Sequence, residues 1–222
     1  GVAIGVTLSY SSEHDKLLVG ISTFVESALN VSTNKLTVAN HGFKTGDKVF
    51  YDVNASALGK VQPITGLATG TYYTHRIDDN IFQLGQTYND VLENPPLILD
   101  LSAPVTSSPA GVIGHKLSEV NPRLEVTRNN NLVFDTSDST LTGYSVRIYH
   151  DQEFKNELVS IGGTVTDFTI DRSLTASGNI GAAVTVGYSE TLPSKLYYTI
   201  EKGGYISTSD TEVSNNSEIL YT

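Results

Sequence analysis

The sequence predicts an all-β protein: a small β-barrel or sandwich module over residues 31–117, then a β-sandwich over 118–222, with residues 1–30 as an N-terminal connector. Two observations carry this reading. Val, Ile, Thr, Tyr and Ser abound, and no long Ala/Leu/Glu/Lys run offers a helix. Short stretches of alternating apolar and polar residues also recur at close spacing, separated by Gly, Asn, Asp and Pro. With 222 residues, 39% of them hydrophobic, the chain can build one large core or two small ones.

Residues 1–30 show no clear period, and 17–29 read as a short helix or an irregular strand; hence the connector. Residues 35–39 alternate, His41 to Asp47 punctuate, and 48–53 alternate again, which predicts a hairpin. Gly42 and Gly46 supply the positive φ values that a tight reversal demands. Residues 71–76 and 81–84 flank Asp78-Asp79-Asn80 as a second hairpin. Between Asn94 and Gly111, Pro95, Pro96, Pro104 and Pro109 would each remove a ladder donor, so this stretch is read as edge strand plus linker. Residues 123–128 and 132–134 flank the turn Asn129-Asn130-Asn131. Further strands are expected at 144–149, 165–170, 182–188, 195–200 and 218–221, for a sandwich of about seven strands.

Charge and composition exclude several functions. The chain has 14 Lys and Arg against 24 Asp and Glu, a net charge of −10, and the excess is concentrated in residues 118–222. Tracking a phosphate backbone needs clustered Lys and Arg, so no nucleic-acid partner is expected. No apolar run approaches the ~20 residues that span a bilayer, so no membrane partner is expected either. Gly1 to Ile4 lack the basic flank of a signal peptide. Cys is absent, which removes disulfides, thiolate metal sites and a Cys nucleophile. Met is absent too, so the chain is expected to be a processed product or part of a longer polypeptide.

Two segments resemble modules of phage structural proteins. The first comprises Asn40-His41-Gly42-Phe43-Lys44-Thr45-Gly46-Asp47-Lys48-Val49-Phe50-Tyr51, then Gly66-Leu67-Ala68-Thr69-Gly70-Thr71-Tyr72-Tyr73, then Asp78-Asp79-Asn80-Ile81-Phe82-Gln83-Leu84. These ordered blocks, within about residues 31–100, resemble a small β module of virion and tail-fibre proteins of tailed bacteriophages. The second comprises Pro122-Arg123-Leu124-Glu125-Val126-Thr127-Arg128, then Leu132-Val133-Phe134-Asp135-Thr136-Ser137-Asp138-Ser139, then Lys195-Leu196-Tyr197-Tyr198. It resembles a cupredoxin-like, Greek-key module in large structural proteins of myoviruses, notably those infecting marine cyanobacteria.

Related modules carry His, Cys, His and Met-like ligands where this chain has Tyr144, Thr199, Lys202 and Tyr205. A blue-copper site needs a thiolate and two imidazoles, so no copper role carries over. What the resemblance implies is a virion component of tail, baseplate or fibre, with copies of itself and other virion proteins as partners.

The residues themselves offer little chemistry. His14, His41, His75, His115 and His150 are scattered one per segment, without the convergent spacing of a metal site. His41, in a turn, is expected to hydrogen-bond the backbone, and His150-Asp151 to be exposed. Asp78-Asp79-Asn80 and Asp135-Thr136-Ser137-Asp138 read as Asx turns rather than as a spaced Ca²⁺ loop. No nucleophile elbow, Walker loop or dinucleotide fingerprint occurs. No catalytic, cofactor or metal residue is therefore assigned, and an enzyme is not expected.

The tyrosines carry the remaining signal. In the pairs Tyr72-Tyr73 and Tyr197-Tyr198, strand neighbours face opposite sides, so one ring is core and the other is available. Tyr73, Tyr198 and Tyr205 are the residues expected at an interface, the competing reading being a second core layer. The leading function is structural assembly. The alternative is a β-sandwich that grips a host-surface glycan through exposed Tyr and Asn or Asp.

Overall fold

The computed structural model describes residues 1–54, 61–158, 170–207 and 216–222. The protein is all-β, with 44% of residues in strands and 6% in helices. Along the chain the strands are β1 (Ala3–Ser11), β2 (Lys16–Val25), β3 (Leu29–Asn30), β4 (Lys35–Thr37), β5 (Lys48–Val53), β6 (Gly70–Arg76), β7 (Ile81–Gly85) and β8 (Ile113–Val120). A short helix, α1 (Tyr88–Leu92), separates β7 from β8. Then follow β9 (Leu124–Val126), β10 (Asn131–Asp135), β11 (Ser145–Tyr149), β12 (Ile170–Arg172), β13 (Ala183–Val186), β14 (Lys195–Lys202), β15 (Tyr205–Ile206) and β16 (Glu218–Tyr221). The strand expected at 165–170 lies outside the described residues except for Ile170. No helix among the described residues is long and apolar enough to cross a membrane.

The chain forms two compact units: Gly1–Gly20 with Asn121–Thr222, and Ile21–Val120. This corrects the expected connector. Residues 1–20 belong to the unit formed by the C-terminal half, and both β1 and β2 are regular strands. β1 runs parallel to β10 through Ala3–Thr7 and antiparallel to β2 through Leu8–Ser11. Their period escaped the sequence because Leu8, Ser9 and Tyr10 are consecutive and all buried.

In the first unit, one sheet has the order β12-β13-β10-β1-β2 and the other β11-β14-β16-β9, with β15 on β14. Alternate residues of each face the other sheet: Leu132 and Phe134, Val184 and Val186, Val146 and Ile148, Leu196, Tyr198 and Ile200. Phe134 and Tyr198 meet with ring centroids 5.6 Å apart. Residues 123–128 and 132–134 do not form the expected hairpin. β9 pairs in parallel with β16, and β10 pairs with β1 and β13 in the other sheet.

The second unit is an antiparallel sheet in the order β8-β5-β6-β7-β4-β3. Its core holds Leu36, Val49, Tyr51, Phe82, Leu84 and Leu117. The β6–β7 hairpin forms as expected, with the Asp78 carboxylate accepting from the amides of Asn80 and Ile81 at 2.8 Å each. The expected β4–β5 hairpin does not form: β4 pairs with β3 and β7, and β5 with β6 and β8. Gly42 and Gly46 do have positive φ, at 73° and 95°. The proline-rich stretch contains no strand, only an isolated bridge from Ser102 to Thr65.

Candidate functional site

The closing loop of the sandwich, at the end of β14, gathers most of the residues that the copper-module comparison singled out. Gly203 and Gly204 both have positive φ (57° and 85°), which lets the chain reverse in two residues and sets Tyr205 opposite Lys202. Lys202 places its ammonium 5.2 Å above the Tyr144 ring, a cation–π contact. Tyr144 packs on Tyr10 with centroids 4.8 Å apart. Tyr10 donates to the Asp15 carboxylate at 2.5 Å, and Tyr205 donates to its other oxygen. Tyr144, Lys202 and Tyr205 are thus drawn around the β1–β2 turn, where Asp15 adopts φ 51°. Thr199 stands apart, buried and donating to the Ser207 carbonyl at 2.7 Å.

Chemically this cluster is a clasp. Burial first, and then the Asp15 carboxylate, drive the Tyr10 phenol well above its ordinary pKa; for Tyr205 the hydrogen bond to Asp15 is the leading cause of the same upward shift. Both phenols stay protonated and spend their hydrogens on one carboxylate. Among the described residues no three His, Cys, Asp or Glu side chains group as a metal site.

Of the three tyrosines expected at an interface, only Tyr205 is exposed, at 49%. Tyr73 and Tyr198 are corrected to core positions. Tyr73 lies on the outer face of β6, but Tyr88 of α1 covers it edge-on at 6.1 Å and Lys48 lies over its ring. Tyr198 faces the sandwich interior and donates to the Pro122 carbonyl at 2.5 Å. Tyr197 is the half-buried member of that pair.

His41 behaves as expected of a turn residue, with Nε2 2.8 Å from the Asp78 carbonyl and Nδ1 accepting from the Phe43 amide. His150 is exposed.

Sequence reasoning missed a line of polar groups inside the second unit. His115, Leu117 and Glu119 alternate along β8 and face inward, opposite Val53, Tyr51 and Val49 of β5. Glu119 donates to Asp47, which also accepts from the Lys44 amide at 2.8 Å. Burial, and then the neighbouring Asp47, push Glu119 up to about 7. His115 is fully buried between Phe24 and Tyr51, with the Tyr51 oxygen 2.6 Å from Nδ1. Burial lowers its pKa. The signal was available in the period-2 spacing of 115, 117 and 119 around an apolar residue.

Each unit has a surface cavity lined by described residues. In the second unit a cavity of about 330 Å³ is walled by Val25, Leu29, Val31 and Pro109, and its one charged residue is Glu26. The Glu26 carboxylate already accepts from the Ser108 amide and hydroxyl at 2.8 and 2.9 Å. In the first unit a cavity of about 270 Å³ carries one charged residue, Arg172. Neither brings together the two titratable groups that acid–base chemistry needs. No family model, no curated protein and no solved structure matches this chain.

Proposed function

We propose that this protein is a non-enzymatic structural component of a tailed-bacteriophage virion, in the tail, baseplate or a fibre. It works through contacts with copies of itself and with other virion proteins. The observation that carries this reading is the closing loop. Where the resembling copper module would hold its ligands, Tyr144, Lys202 and Tyr205 hold one another and the Asp15 turn through ring packing and hydrogen bonds. Such a loop serves shape, in keeping with a sandwich used as a building block.

The surface supports the same reading. Leu174 and Ile180 stand fully exposed on the loop between β12 and β13, and Val105 is 90% exposed in the second unit. Apolar side chains in that state are ready contacts for a neighbouring chain. The acidic balance argues against nucleic-acid binding as the role.

The test is to locate the chain in purified particles by electron microscopy, with antibody labelling of lysates as a complement. Recovery in stoichiometric, repeated copies within a tail substructure is the expected result. A chain found only free and monomeric in infected-cell extract would overturn the proposal.

A further inference from the structure

The first-unit cavity sits where the two sheets of the sandwich present their edge strands, β12 and β11. Its wall mixes apolar residues such as Ala176 and Val184 with hydroxyls and one guanidinium, from Thr136, Tyr144, Thr175, Ser177 and Arg172. Arg172 is anchored by a bond from its guanidinium to the Val146 carbonyl at 2.7 Å. That single bond uses one of five N–H donors, and Arg172 has no carboxylate ion-pair partner among the described residues. Contrast Arg147, which is held by Glu157 at 3.1 Å and Glu201 at 3.6 Å.

A second cation, outside the lining itself, touches two of the lining residues. Lys202 packs against Gly143, where a Cβ would lie 3.1 Å from its Cε, and over the Tyr144 ring. Lys202 also has no carboxylate ion-pair partner among the described residues. Glu157 and Arg147 are near enough to act on the Arg172 charge, but neither pairs with it, so in a chain of net charge −10 its guanidinium keeps donors for an anion beside this hollow. The hydroxyls match a ligand that is itself rich in hydroxyls, and the Tyr144 ring offers a flat apolar edge.

The geometry points to a binding site for a carboxylate-bearing sugar unit of an acidic glycan, with Arg172 gripping the carboxylate and Lys202 adding charge at the rim. This names a ligand class for the glycan-binding alternative and stands independently of the virion role. Absence of sugar binding would leave the localisation result untouched.

The test is calorimetric titration of the full chain with trigalacturonic acid and, in parallel, its fully methyl-esterified form, which keeps the skeleton but loses the charge. The acid is expected to bind at least about tenfold more tightly than the ester, and Arg172→Ala to lose about tenfold or more. Lys202→Ala should weaken binding several-fold and flatten its salt dependence, while Lys35→Ala in the other unit should change nothing. Amide shift mapping on the unmutated chain, with perturbations at Thr136, Thr175 and Ser177, checks the site without relying on any variant. No binding at millimolar triuronate, equal binding of the ester, full binding by Arg172→Ala, or shifts reproduced in full by inorganic phosphate would each overturn the assignment.

Discussion

The phenol of Tyr205 donates to the carboxylate of Asp15, a residue 190 positions earlier in the chain. The same carboxylate takes the proton of Tyr10, so one side chain in the first turn of the protein holds a core ring and the closing loop together. The two donors differ in exposure. Tyr10 is 6% exposed, whereas Tyr205 is half in solvent.

Asp15→Ala should therefore cost about 1–3 kcal/mol, because a buried phenol is left without its acceptor. Tyr205→Phe exchanges an exposed bond for water and should cost far less. Urea unfolding followed by amide NMR separates the two. Equal midpoints for both variants would show that the clasp does not act through Tyr10.

The Glu119–Asp47 pair makes the second unit's stability depend on pH. A carboxyl whose pKa is higher in the folded protein binds its proton more tightly there, so protonation favours folding. That advantage is complete below the ordinary value of 4.5 and is lost as the pH rises through about 7. Unfolding midpoints for this unit should fall between about pH 5 and about pH 8. Glu119→Gln keeps the donor and removes the charge, so its contribution to the slope should vanish and the variant should be the more stable at the alkaline end. An unaltered slope in Glu119→Gln would locate the dependence elsewhere.

His115 is expected to be neutral and to carry its proton on Nε2. The Tyr51 oxygen accepts from the Ile64 amide at 3.1 Å, which leaves its own hydrogen for His115 Nδ1. Burial lowers the imidazole pKa, with Glu26 opposing, so the neutral ring should persist below the ordinary 6.5. The sign is opposite to that of Glu119: this contribution is present above 6.5 and lost as the pH falls. Long-range ¹⁵N–¹H NMR reads the tautomer directly. An imidazole that titrates at or above the ordinary 6.5 would contradict the assignment.

Tyr51→Phe tests the same cluster through stability. The buried Ile64 amide and His115 Nδ1 would lose their partner together, at a cost of about 1–3 kcal/mol. A variant as stable as the parent would mean that neither group depends on the phenol.

A fragment of residues 121–222 should fail to fold cooperatively. It lacks Leu8, Tyr10 and Leu17 from the core and exposes the edge of β10 that β1 covers. Adding a peptide of residues 1–20 should restore a cooperative transition in the NMR or circular-dichroism melt. A sharp melt for the fragment alone would show that β1 is dispensable.

What could be read in the sequence was the face of each strand, and what could not was its partner. Alternation located β5, β6, β7, β14 and β16 because each has one buried side or one end in the core. Pairing was assumed to be local, and the β6–β7 turn rewarded that assumption. At β4 with β5, and β9 with β10, sequence neighbours pair elsewhere, since alternation carries no information about which strand lies alongside. The parallel β1–β10 contact joins residues more than a hundred positions apart and has no local signature. The same limit governs the candidate sites. The loop at Tyr205 was visible as a motif, yet Asp15, the residue that organises it, could only be found in three dimensions. Likewise Tyr73 reads as outward-facing until the ring of Tyr88 is seen on top of it.

The parallel seam between β1 and β10 also decides how the protein would bear a load. Val2 is bonded to Asn130 and Asn131, and Thr222 to Val126 and Arg128, so both chain ends are moored to one short stretch of the backbone. Tension applied at the two ends would be resisted by strands of the first unit sliding lengthwise against their partners, with many backbone bonds strained at once. Residues 21–120 leave and re-enter that unit between Gly20 and Asn121, outside the pulled path. The second unit would be mechanically sheltered, staying folded until the sandwich that carries it gave way.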